Sequence, residues 1–151
     1  MTAVVISRSL TAEMGESAAF DLATDFQFYK SDSDSNFGDI FGRDKPHLFP
    51  EIVVKNGLRH VHMEQPSVES YWQQLWDQGA PQVDFTSNKI LIYGRMLDVS
   101  FTPYMLLTIL DPQGHAQMSD IERMRALGEE YEDEVFAYSA RLPTQQWMMV
   151  K

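Results

Sequence analysis

The sequence predicts an α+β fold, with a mainly antiparallel sheet of about four or five strands and helices packed on one face. Three observations carry this expectation. Strand-like runs at Val4-Val5-Ile6, 51–63, 89–94 and 104–110 are mostly neighbours in sequence joined by short links, which favours antiparallel pairing. Apolar residues recur at helical spacing over 11–30, 67–78 and 119–138. The length of 151 residues with 44% hydrophobic content suits one compact domain and a single core.

Each element has a local reason. Thr11 is a candidate N-cap with Glu13 in the first turn. Met14, Ala18, Leu22, Phe26 and Tyr29 then line one face of a helix running to about Lys30. The polar stretch Ser31-Asp32-Ser33-Asp34-Ser35-Asn36 and the segment Phe41-Gly42-Arg43-Asp44 read as loops. Glu51–Lys55 and Leu58–Met63 are β-prone and flank Asn56-Gly57, a pair suited to a type I′ turn, so a hairpin is expected over 51–63. Pleating of its second strand puts Leu58, His60 and His62 on one face and Arg59, Val61 and Met63 on the other.

Pro66-Ser67 opens a helix whose stripe is Val68, Tyr71, Trp72, Leu75 and Trp76, stopped by Gly79 and Pro81. The run Tyr104–Leu110 is apolar on both faces and should be central in the sheet. His115 follows it in a turn. Ser119 and Glu122 have the spacing of a capping box before the stripe Ile121, Met124, Leu127, Tyr131, Val135 and Tyr138. A tail from Leu142 and Pro143 carries Trp147-Met148-Met149-Val150, which should pack on the core or on a partner.

Composition narrows the chemistry. With no cysteine, disulfides, thiolate zinc sites and cysteine nucleophiles are excluded. The opening MTAVVISRSL has no basic region followed by a long apolar one, and no stretch nears the roughly 18–20 apolar residues of a membrane span. A soluble, unprocessed, cytoplasmic protein is therefore expected. Twelve basic against 22 acidic residues give a net charge of −10, the reverse of a broad nucleic-acid-binding surface. The acidity is spread along the chain. Removing the densest run, Glu129, Glu130, Glu132, Asp133 and Glu134, would still leave half of the net charge of −10, so any RNA contact must be local.

Several segments in order, Phe26-Gln27-Phe28-Tyr29-Lys30, Ile40-Phe41-Gly42-Arg43-Asp44 and His60-Val61-His62-Met63, resemble the YafO toxin family. The strands Ile90-Leu91-Ile92-Tyr93 and Leu106–Leu110, with His115 and Asp120 beyond them, extend the resemblance over about residues 4–138. The resemblance implies one toxin-like domain over 1–151 with a RelE/ParE-like fold. It further implies a ribosome-dependent mRNA endoribonuclease that inhibits translation. The partners it implies are a cognate antitoxin, the ribosome and mRNA, with no membrane and with DNA reached only through the antitoxin.

RNA carries its own nucleophile, the 2′-hydroxyl. Cleavage therefore needs a base, donors to stabilise the phosphorane and an acid for the 5′-oxygen. His60 and His62, sharing a strand face and titrating near neutral pH, suit the base and acid roles; Arg43 offers a planar fork to phosphate, and His115 lies within reach of the same face. The substrate-binding set is Asp44, Arg59, Tyr93, Lys55 and Arg95, with Tyr93 stacking on or bonding to a base, and Asp44 orienting Arg43 or a histidine. No cofactor is called for, and a metal on His60 and His62 lacks a third ligand at a persuasive spacing.

Each assignment has a structural alternative. The histidines can be a surface pair or part of a polar packing layer, Arg43-Asp44 a loop ion pair, Tyr93 a half-buried strand aromatic, and His115 an exposed turn residue. Tyr71, Trp72 and Trp76 are most economically core. At the level of function, the competing reading is a non-catalytic acidic module on the same fold that binds a basic protein or mimics nucleic acid.

Overall fold

The computed structural model describes residues 2–140 and 147–151. Leu142 and Pro143 lie outside the described residues. The first half of the chain runs β1 (Val4–Ile6), α1 (Arg8–Met14), α2 (Glu16–Ser31), β2 (Phe41–Pro46), α3 (Glu51–Lys55), β3 (Arg59–Met63) and α4 (Glu69–Asp77). A 3₁₀ turn (Gln82–Asp84) leads to β4 (Ile90–Arg95), β5 (Tyr104–Leu110), α5 (Gly114–Met118), α6 (Ile121–Ser139) and β6 (Met148–Val150). The strands form one six-stranded sheet in the order β2-β3-β4-β5-β1-β6. All pairings are antiparallel except the parallel one between β1 and β5. The α+β, mainly antiparallel expectation therefore stands, with six strands where four or five were expected.

Helices cover both faces, not one. Leu22, Phe26 and Tyr29 of α2 pack with Val61, Leu91, Tyr93 and Leu106. Met124, Leu127 and Tyr131 of α6, with Val53 of α3, pack with Ile90, Ile92, Met105 and Leu107. The alternation Ile90, Leu91, Ile92, Tyr93 supplies both layers from one strand, which is why β4 and β5 read as apolar on both faces.

Five local expectations are corrected. The helix expected over 11–30 is two helices. Ser7 caps α1 by accepting from the Leu10 N–H at 3.1 Å, and Gly15, at a φ of 88°, starts α2 in a new phase that buries Ala19 and leaves Ala18 exposed. The Phe41–Asp44 segment is strand, not loop. The hairpin over 51–63 does not form: Glu51–Lys55 is helical, and Asn56 has a φ of −87°, which a type I′ turn forbids. Gly57, at a φ of 64°, is instead the left-handed end of α3, with Gly57 N–H donating to Val54 O and Leu58 N–H to Val53 O. Asp120, which accepts from the Arg123 N–H at 3.1 Å, caps α6 in place of Ser119. Of the α4 aromatics, Trp72 alone is core, while Tyr71 and Trp76 are exposed.

The tail joins the sheet, with Met148–Val150 pairing against β1. Trp147 is buried beside it, its indole N–H donating to buried Glu134 at 2.9 Å; Glu134 also pairs with Arg8.

Gly42 fixes how closely β2 approaches the 85–88 segment. A Cβ there would lie 2.3 Å from the Phe85 carbonyl oxygen and 2.8 Å from Trp72, while Arg43 N–H donates to that same carbonyl at 2.8 Å. Gly42→Ala is therefore expected to cost at least about 2 kcal/mol in urea unfolding by forcing β2 off Phe85.

Candidate functional site

Asp44 stands opposite Val61 across the β2–β3 pair, so its side chain points to the α2 face; a bulge lies between Phe41 and Asp44. There it accepts from Tyr29 at 2.8 Å, Lys30 at 3.1 Å, Arg59 at 3.1 Å and Tyr93 at 2.6 Å. Gln82 completes the network, donating to the Tyr29 hydroxyl at 2.8 Å and to the Gly42 carbonyl at 2.9 Å. Burial opposes the Asp44 charge. The Lys30 ammonium, the Tyr93 hydroxyl, Arg59 and Tyr29 outweigh that cost and hold its carboxyl below the usual range. Tyr93 and Tyr29 are pushed far up, by burial first and by Asp44 second, and stay neutral hydroxyl donors.

On the other face, Lys45 faces His60, and alternation about Asp44 turns Arg43 to this side as well. His60 and His62 project here from β3. All four histidines of the chain form a row: His47 to His60 at 4.6 Å between ring centroids, His60 to His62 at 6.0 Å, and His62 to His115 at 5.0 Å. His47 enters because its N–H donates to Leu58 O just beyond β2. His115 enters because Gly114 presses α5 onto β4, where a Cβ would lie 2.4 Å from Ile90 and 2.8 Å from the Asn88 carbonyl oxygen. A bulkier residue at 114 would lift His115 away from His62.

The row is graded in exposure. His62 is buried, His47 sits at the margin of burial, His60 is half-buried and His115 is exposed. The Ser87 N–H donates to His62 Nδ1 at 2.8 Å, so neutral His62 carries its proton on Nε2; the Ser87 carbonyl, 3.0 Å from the same nitrogen, would accept from a protonated Nδ1. His47 Nε2, His60 Nδ1 and Arg43 Nε are buried without hydrogen-bond partners.

His60 and His62 do not titrate near neutrality as expected. Burial lowers His47 to about 4. Burial, then the charges of His47 and His62, lowers His60 to about 3. Burial, then His115, lowers His62 to about 4, with Arg43 adding to the effect and the Ser87 backbone opposing it. These three rings are neutral at pH 7 and present unprotonated nitrogens.

The structure thus gathers His60, His62 and His115 and turns Arg43 toward them, and it adds His47. His47 carried no periodic or spacing signal, standing alone after Pro46. The substrate-side set is not gathered there. Asp44, Arg59 and Tyr93 belong to the opposite face, and Asp44 orients neither Arg43 nor a histidine. Tyr93 is fully buried, with both faces of its ring inaccessible to a base. Lys55 pairs with Glu132 at 3.4 Å. Arg95 lies over the Tyr104 ring at 5.1 Å and donates to Thr102. No group of three His, Asp or Glu among the described residues is arranged to hold a metal ion. No helix among the described residues is long and apolar enough to cross a membrane.

The fold and site together define a small α+β protein with a histidine row on one sheet face, fixed from behind by a buried carboxylate. Residues 27–136 match the family model described as toxin YafO of a type II toxin-antitoxin system. The chain belongs to this toxin family, and a cognate antitoxin is the partner that membership implies. No curated protein and no solved structure matches it.

The depressed histidine pKa values set an acid window. From 6.5, the value of an unfolded histidine, down to about 4, the unfolded chain binds protons that the folded chain refuses, so stability falls as pH falls. The Asp44 contribution is lost lower still, below 3.8. Asp25 and Glu64, whose carboxyls are raised by burial and neighbouring acids, act in the opposite sense. A melting temperature at least about 5 °C lower at pH 4.5 than at pH 7 is expected, with a flatter profile for His47→Gln/His60→Gln. An equal slope in that variant would remove the row as its cause.

Proposed function

We propose that the histidine row and Arg43 form the catalytic centre of a ribosome-dependent mRNA endoribonuclease, on a fold of RelE/ParE-like type. The observation that carries this reading is the convergence of all four histidines of the chain on one sheet face, with an arginine turned toward them.

A neutral imidazole of the row takes the proton of the 2′-hydroxyl. The 2′-oxygen attacks phosphorus, the bond from phosphorus to the 5′-oxygen breaks, and that oxygen receives a proton from a second group of the row. The products are a 2′,3′-cyclic phosphate and a 5′-hydroxyl. Arg43 offers its guanidinium to the non-bridging oxygens, where charge builds up in the transition state. His47, His60 and His62, held neutral by burial, are ready as bases in the free protein. An arriving phosphate favours imidazolium, so substrate itself raises the proton affinity that the acid step needs. His115, as the exposed member, is the substrate-facing group, and His62, locked by Ser87, keeps the row aligned.

A second reading is favoured by a specific observation. Many of the cations are already committed: Lys30 and Arg59 to Asp44, Arg8 to Glu134, Lys55 to Glu132 and Arg125 to Glu122. With a net charge of −10, this suits a non-catalytic module that engages a basic protein.

Induced expression with mapping of new RNA ends separates the two. The enzyme reading expects cuts within translated mRNA bearing 5′-hydroxyl ends. His115→Ala, which touches an exposed residue, and Arg43→Ala should each lower cleavage by about 10²–10⁴-fold with little change in unfolding free energy. Soluble wild-type protein that neither cuts mRNA nor arrests growth would favour the binding module.

Asp44→Ala gives a different signature. It should cost about 3–5 kcal/mol in stability, because Lys30 and Arg59 lose their shared carboxylate. Unchanged unfolding would show the network to be dispensable.

A further inference from the structure

We propose that the groove between α2, the 35–41 segment and α4 is the docking site for a basic segment of the cognate antitoxin that carries large apolar side chains. The proposal rests on the chain's membership of a type II toxin family for the partner, and on this face of the molecule for the rest.

The groove encloses about 380 Å³ and lies away from the histidine row. Its walls are Phe28 and Tyr29 of α2, Phe37 and Ile40 of the connecting segment, and Gln73 and Trp76 of α4. Phe28 is 62% exposed and Trp76 52% exposed, so two large aromatic side chains that line one depression are open to solvent. The walls are built in advance. Asn36 donates to the Phe28 carbonyl at 2.8 Å, Gly38 N–H to Phe41 O at 2.8 Å, and Phe37 meets Trp76 edge-on at 5.9 Å and Phe85 at 5.4 Å. Gly38, at a φ of 94°, lets the chain turn beneath the Trp76 ring.

Charge selects the occupant. Asp25 and Asp39 line the groove, and Asp21 lies close enough to act on Asp25. Asp39 also acts on Glu64, as does Glu69, and the cation that opposes them there is Lys89. Asp25 and Glu64 both hold their protons more tightly than usual, by burial first and by these neighbours second. Aromatic walls with Asp25 and Asp39 beside them match a segment whose apolar residues enter the groove and whose lysines or arginines meet the two carboxylates. Nucleic acid is disfavoured by the same charges, since its phosphates would face Asp21, Asp25 and Asp39.

The test uses the full chain and the purified cognate antitoxin in titration calorimetry at two salt concentrations. Trp76→Ala and, separately, Phe28→Ala should each weaken binding by about thirtyfold or more, the loss of an interface anchor. Asp25→Asn/Asp39→Asn should weaken binding and flatten its salt dependence. Phe136→Ala, an aromatic 76% exposed on α6, should change nothing. Wild-type affinity in all the groove variants, or no binding by the wild-type chain, would overturn the proposal. Because affinity is read without any cleavage, failure of the nuclease reading leaves this result standing. A nuclease that cuts mRNA yet is bound equally well by its antitoxin with Trp76 and Phe28 both replaced would sink the docking site alone.

Discussion

Asp44 is the point on which the rest of the structure hangs. One buried carboxylate receives hydrogen bonds from α2, β3 and β4, and so ties three elements to β2 through a single side chain. A buried charge is costly unless its lone pairs are satisfied by cations and donors of good geometry, and here two cations and two tyrosine hydroxyls supply them. Neutralisation is local and complete enough that the carboxyl stays ionised. Because neighbouring strand residues face opposite ways, the clamp that holds Asp44 beneath the sheet also sets where Arg43 stands above it. The histidine face is thus positioned from behind, by residues that never touch it.

The same economy appears in the glycines that matter. Gly42 brings β2 against the Phe85 carbonyl, and Gly114 brings α5 against β4. Each does its work by lacking a side chain where two backbones must nearly meet. In the first case the consequence is the bulged strand from which Arg43 and Asp44 diverge. In the second it is the contact of His115 with His62, between residues far apart in the chain. A histidine row drawn from β3, α5 and the end of β2 is therefore a product of backbone approach as much as of side-chain choice.

How much of this was legible in the chain depends on which physics each feature obeys. Strand alternation put His60 and His62 on one face and Val61 and Met63 on the other, and the structure keeps that assignment because the period of two is a property of the pleat. The central β5 was readable from its continuous apolar run. Asn56-Gly57 misled, because a left-handed glycine serves a helix terminus as readily as a hairpin, and only the tertiary packing of Val53 against α6 decides between them. Gly15 hid a break in an apparently continuous helix. The grouping of Arg43, Asp44, Arg59 and Tyr93 near one site failed for a reason of register: a bulge within the Phe41–Asp44 strand and the alternation beyond it separate neighbours onto opposite faces. His47 was invisible, since a lone histidine after a proline carries no periodicity, and the expectation of neutral titration overlooked burial, which no spacing pattern reports.

The placement of β1 bears on the order in which the molecule can be assembled. Val4–Ile6 does not lie at an edge; it is held between β5, reached about 100 residues later, and β6, later still. Val4–Ile6 can pair on one side only once Tyr104–Leu106 are present, and on the other only once Met148–Val150 join. Closure across so long a span is slow, because the entropy of the loop is lost before the pairing rewards it. The β2-β3-β4 part, by contrast, is built from neighbours. Assembly can therefore pass through a stage in which the histidine-bearing strands are paired while the β1 side of the sheet is still open, and Met148–Val150 complete that side.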